Sequence, residues 1–120
     1  MITKEEIRES LSKFKIKDIQ FDLNGFCNGN CWYCPVKYEI QPARQNMSVS
    51  DVEKILNNIV QEKGNLIDAN FMHIYTAHYN EIVLYPYFED YLKLLKDRNI
   101  NTMVLTNGMG LTPKVSRFIF

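Results

Sequence analysis

Apolar and polar residues alternate along "KIKDIQFDLN". Ile19, Phe21 and Leu23 fall on one side, and Asp18, Gln20, Asp22 and Asn24 on the other. A period of two predicts a strand. From Ser48 the period lengthens: Val49, Val52, Leu56 and Ile59, with Ile55 and Val60 beside them, form a helical stripe that Gly64 is placed to end. "NFMHIYTA" is nearly continuous in apolar, β-branched and aromatic residues, as suits a strand buried on both faces. Pro86 is placed to open a second helix with the stripe Phe88, Tyr91, Leu92 and Leu95. "NTMVLTNG" predicts a third buried strand ending at Asn107-Gly108, and Thr112-Pro113 an N-cap followed by a proline in the first turn. Ahead of all this, Thr3-Lys4-Glu5-Glu6 fits a capping box, which predicts a short helix to about Ser12. Gln41 to Asn46, with Pro42, reads as a polar connector.

Strands alternating with helices at this spacing predict βαβ units on a parallel sheet with right-handed crossovers. Chemistry on such sheets sits at the loops after the strands' carboxyl ends. The cysteines, Tyr79-Asn80-Glu81 and Thr106-Asn107-Gly108 all fall at those loops. The last helix has only seven residues after Pro113, ending in Phe118-Ile119-Phe120 with nothing predicted to pack on them. The chain is therefore expected to be part of a longer protein: an N-terminal helix over 1–14, then a core over 15–120 truncated at its C-terminus.

Composition narrows the partners. Lys plus Arg number 14, as do Asp plus Glu, so no global field draws the chain to nucleic acid or an anionic membrane. Its apolar runs fall far short of the ~18 residues of a membrane span. "MITKEEIRES" is too charged for a signal peptide. The expected location is the cytoplasm, where thiols stay reduced and a cysteine cluster points to metal or catalysis.

All three cysteines, Cys27, Cys31 and Cys34, lie in "FCNGNCWYCP" at C-x3-C-x2-C spacing. An odd number cannot pair fully into disulfides. A structural zinc site would need a fourth ligand, for which His73 and His78 are the candidates. A 4Fe-4S cluster takes one thiolate per iron, so three thiolates leave one iron open to a small molecule. Asn28, Gly29 and Asn30 suit a tight wrapping loop whose N–H groups can donate to sulfur.

"CNGNCWYC" resembles the C-x3-C-x-φ-C motif of the radical S-adenosylmethionine (radical SAM) enzymes, with Tyr33 as the aromatic φ. "YNEIVLYPYFEDYLKLLKDRNINTMVLTNGMGLTP" is similar to the stretch written GGEPLL-x-P…TNG-x-x-L in that family, so the resemblance runs from about Ile16 to the end. It implies a partial (β/α) barrel, here about three parallel βα units of an expected six. It implies a 4Fe-4S cluster on Cys27, Cys31 and Cys34 whose open iron chelates S-adenosylmethionine. Reductive cleavage would give a 5′-deoxyadenosyl radical that abstracts hydrogen from a substrate. Tyr33 would lie against the adenine, and Tyr79, Asn80 and Glu81 would line the methionine amino group. Thr106 and Asn107 would be on the cofactor's side or simply form a strand-ending turn. An electron donor such as flavodoxin or ferredoxin is implied, with the rest of the barrel supplied by a missing C-terminal segment. Two departures stand out: Tyr79-Asn80 replaces Gly-Gly, and Ile82 stands where the family has Pro.

The substrate is not readable, although Pro35 after the third cysteine and the M-S-x-x-D-x-x-K-I-L helix start resemble the branch with peptide-modifying and cofactor-building members. Other readings are a non-catalytic iron-sulfur or zinc module, or an inert piece of such an enzyme. Residue by residue, Trp32 is expected in the core, Glu81 could be a solvated loop carboxylate, and Gln20, Asp22 and Asn24 either line a cavity or meet water.

Overall fold

The computed structural model describes residues 1–35, 45–71, 73–76 and 79–119. Helix α1 (Lys4–Lys13) is followed by β1 (Ile19–Gln20), α2 (Val49–Glu62), β2 (His73–Tyr75), α3 (Phe88–Asp97), β3 (Asn101–Met103) and α4 (Pro113–Ile119). The three strands form one parallel sheet in the order β1-β2-β3, with Ile19 opposite Ile74 and Ile74 opposite Thr102. This is the α/β architecture of three βα units, a partial barrel.

Each helix starts where its caps direct. The Thr3 hydroxyl accepts from the Glu6 N–H at 3.2 Å while Glu6 accepts from the Thr3 N–H at 2.8 Å, the reciprocal pair of a capping box. Ser48 caps α2 by accepting from the Asp51 N–H, and Thr112 accepts from the Val115 N–H ahead of Pro113. Helix α3 is the exception: it begins at Phe88, and Pro86 lies in the turn before it.

The core is built on one side of the sheet. Val52, Leu56 and Ile59 of α2 and Phe88, Tyr91 and Leu95 of α3 are buried with Leu23 and Ile74. Arg98 ties the two helices, donating to Asn57 at 2.7 and 2.9 Å and to Glu53 at 3.2 Å. Under α3 lies a small polar cluster: the Tyr91 hydroxyl donates to the Thr102 hydroxyl, which donates to the Ile74 carbonyl at 3.0 Å. Thr76 lies 3.4 Å from the same hydroxyl. Burial pushes the Tyr91 phenol up to about 12.

Two expectations about the strands change. The ladders are only two or three residues long, because the chain leaves the sheet soon after each pairing to form the loops. Nor are the second and third strands buried on both faces. Ile74 is fully buried on the helix side, whereas His73 and Asn101 on the other face are exposed and Met103 is 48% exposed. Helices cover one face, and among the described residues nothing covers the other. The Gln41–Asn46 connector lies outside the described residues up to residue 44, as does His78.

Alkaline stability follows from Tyr91. Its folded value of about 12 lies above its ordinary 10.0, so the stability it contributes is complete below pH 10 and is lost as pH rises through 12. Two units correspond to roughly 3 kcal/mol. Tyr91→Phe should cost about 1 kcal/mol at pH 7 and flatten the loss of stability between pH 10 and 12. Urea titrations across that range check both, and an unchanged alkaline slope would refute the assignment.

Candidate functional site

Three loops meet beyond the carboxyl ends of the strands. The first leaves β1 and carries the cysteines. Its base is pinched: Met47 N–H donates to the Leu23 carbonyl at 2.7 Å, Gly25 N–H donates to the Gln45 carbonyl at 3.1 Å, and Asn24 bridges antiparallel to Asn46. The cysteine loop is therefore an excursion whose two ends are pinned together. Sequence reasoning did not foresee this neck.

The second loop crosses to the first through backbone. Glu81 N–H donates to the Phe26 carbonyl at 2.7 Å, and the Asn24 side chain donates to the Glu81 carbonyl at 3.2 Å. Asn80 in turn donates to Asn24 Oδ1 at 2.8 Å. Asn24 is 4% exposed, so the polar side of the first strand divides: Gln20 and Asp22 are exposed, and Asn24 is a buried tie between loops. The recurrence of Asn at all three loops (Asn24, Asn28, Asn80 and Asn107) was the available signal.

The third loop is held by the Glu81 carboxylate. One oxygen accepts from the Thr106 hydroxyl, and the other from the Asn107 N–H at 2.8 Å. Glu81 is 2% exposed, which excludes the solvated-carboxylate reading. Gly110 completes the seating: a Cβ there would lie 2.5 Å from Val83 Cγ2, so only glycine lets this loop rest on the 3-10 turn Ile82–Leu84.

The cysteines are all free, with Cys27 and Cys34 half-buried and Cys31 exposed. Gly29 N–H donates to Cys27 Sγ at 3.3 Å, and a Cβ on Gly29 would lie 3.4 Å from Cys27 Sγ and 3.7 Å from Cys31 Sγ. The Cys34 N–H bonds the Cys31 carbonyl at 3.2 Å, so the second and third cysteines sit on one turn. Three free thiols on one loop, with an N–H already directed at sulfur, fit an iron-sulfur cluster in donor chemistry. Among the described residues no three His, Cys, Asp or Glu side chains are grouped as a ready-made metal site. His73 stands at the opposite end of its strand and lines a separate hollow with Lys17, Asp18 and Asp68.

Trp32 is 78% exposed and Tyr33 72%, with their rings edge-to-face at 5.6 Å. The core placement expected for Trp32 is thus overturned, because its loop stands past the reach of the helices. The Tyr33 phenol is raised above its ordinary value, chiefly by its hydrogen bond to Cys31. Tyr79 is 44% exposed beside Asn80 and Glu81.

A family model described as "Radical SAM superfamily" matches residues 22–119. No curated protein matches the sequence. Among solved structures, BtrN in complex with AdoMet and 2-DOIA is similar in fold, with a TM-score of 0.72 at 20% identity. The alignment covers 87% of this chain and 41% of that one, so this chain spans well under half the length of that protein.

The Glu81 carboxylate is the testable tie. Glu81→Ala strands the Thr106 hydroxyl and the Asn107 N–H, and should cost about 2–4 kcal/mol at two lost charge-assisted bonds. Glu81→Gln keeps one acceptor for Asn107 and offers an N–H to the Thr106 hydroxyl, so it should cost about half as much. Urea unfolding midpoints measure both, and an Ala variant within about 0.5 kcal/mol of the parent would remove the tie from the account.

Proposed function

The chain belongs to the radical SAM superfamily, and from that membership we propose that it is the N-terminal part of the core of a radical S-adenosylmethionine enzyme. In this reading Cys27, Cys31 and Cys34 hold a 4Fe-4S cluster and leave one iron to the cofactor. When bound, the group supplies the electron that cleaves S-adenosylmethionine to a 5′-deoxyadenosyl radical able to take hydrogen from a substrate. The observation that carries the reading is the set of three free thiols on one pinched loop, with Gly29 N–H on the Cys27 sulfur, at the same end of the sheet as the two other loops.

The chain's own residues divide the remaining work. Gly29 N–H stabilises negative charge on the Cys27 sulfur. Tyr33, exposed on the same loop, offers its ring to the adenine. Tyr79 and Asn80 border the methionine amino group, where their side chains restrict an approach that the family's glycines leave open. Glu81 has both oxygens engaged, and it serves that place by fixing Thr106 and Asn107 beside it. The uncovered sheet face, with Met103 and Leu105 exposed at 48% and 56%, is the side on which a substrate and further barrel strands would lie. A cytoplasmic setting and an electron donor such as flavodoxin or ferredoxin go with this chemistry. The substrate lean is peptide modification or cofactor building. No described helix is long and apolar enough to cross a membrane.

Anaerobic reconstitution should load about four irons and four sulfides per chain. Ala at any one of Cys27, Cys31 or Cys34 should abolish loading. S-adenosylmethionine should shift the electron paramagnetic resonance of the reduced cluster, and Tyr33→Ala should weaken that response without changing iron content. Stoichiometric zinc with no iron uptake would sink the reading. An iron cluster whose spectrum ignores S-adenosylmethionine in the longer parent would leave a non-catalytic iron-sulfur module.

A further inference from the structure

A side-chain pair joins the third loop to the cysteine loop. Asn107 Nδ2 donates to Asn28 Oδ1 at 2.9 Å, between residues 79 apart in sequence. The orientation of this pair is not arbitrary. Met109 N–H, which can only donate, is 2.9 Å from Asn107 Oδ1, so the amide nitrogen must face Asn28, and Asn28 must answer with its oxygen. The Asn107 backbone is fixed as well, because its N–H is held by the buried Glu81 carboxylate at 2.8 Å. The Asn107 backbone N–H and its side-chain oxygen are thus both engaged on its own side before Nδ2 reaches across.

What it reaches is the turn between the first two cysteines. A Cβ on Gly29 would lie 3.4 Å from Asn107 Nδ2 and 3.4 Å from Cys27 Sγ, so the Asn107 amide and that sulfur both border the side of Gly29 where a side chain would stand. Gly29 N–H points at the same sulfur. We infer that Asn107 is a positioning residue. Through Asn28 it clamps the Asn28-Gly29 turn, and so sets where Cys27 and Cys31 stand before anything binds them. The role rests on the proposed cluster for its purpose, but the clamp itself belongs to the metal-free chain.

Three variants separate donor, acceptor and shape. Asn107→Asp keeps an oxygen for Met109 N–H and turns the other toward Asn28, removing the donor. Asn28→Ala removes the acceptor. Asn28→Asp keeps it. Hydrogen–deuterium exchange of the metal-free chain should be faster over residues 26–34 in Asn107→Asp and in Asn28→Ala, by roughly three- to tenfold for one lost hydrogen bond. It should stay at the parent's rate in Asn28→Asp, and α2 should be unaffected in all three. In the reconstituted protein the two weakened variants should also release iron to a chelator faster, and Asn28→Asp should not. Unchanged exchange over 26–34 would overturn the clamp even if the parent binds its cluster. Equal acceleration in α2 would overturn it too, by making the pair an ordinary contributor to global stability. Should the exchange pattern hold while the parent takes up no iron, the clamp stands and the cluster reading falls.

Discussion

A carboxylate with 2% exposure governs the architecture of the site. Burying Glu81 is unfavourable unless its oxygens find donors, and the donors available are the Thr106 hydroxyl and the Asn107 N–H. Satisfying the side chain therefore forces the third loop against the second. Its backbone repeats the logic toward the first loop, donating to Phe26 and accepting from Asn24. One residue thus converts a desolvation cost into a geometric requirement that three segments, far apart in sequence, share one end of the sheet.

The sheet contributes surprisingly little to that requirement. With ladders of two and three residues, the strands set direction and spacing, then release the chain. Position beyond the sheet is set by side chains: Asn24 and Asn80 at one seam, Glu81, Thr106 and Asn107 at another. Gly110 on Val83 adds a steric stop. Helices α2 and α3 pack on the far side, so the face that would look toward a barrel interior carries Tyr75 and Met103 with no layer above them among the described residues.

Element order, the starts of α1, α2 and α4 and the convergence of the three loops were legible in the sequence because each is encoded locally or by a simple rule. A Thr with a Glu three residues on, a stripe at helical spacing and the βα alternation all act over a few residues. What could not be read depends on neighbours in space. Trp32 looks like core by residue type but sits on a loop past the helices' reach. Asn24 looks like the polar face of a strand but is buried by a loop arriving 57 residues later. Strand lengths were overestimated because an apolar run such as "NFMHIYTA" marks burial, not ladder length. The three cysteines were read as a ligand set from their spacing together with the family resemblance, and the donor chemistry of their loop is compatible with that. The roles of Tyr33, Tyr79 and Asn80 toward a cofactor come from resemblance and remain assignments of the proposed function.

The 79-residue interval between Asn28 and Asn107 also has a meaning in time. A ribosome adding roughly 5–20 residues per second releases the cysteines about 4 to 16 seconds before the residue that braces them. Until Met47 follows Cys34 the neck cannot close, and until Asn107 follows, the thiols lack their far support. The order of synthesis therefore separates exposure of the thiols from fixation of their loop. Any metal that reaches them early meets a pliable ligand set, and one that arrives after Asn107 meets a braced one.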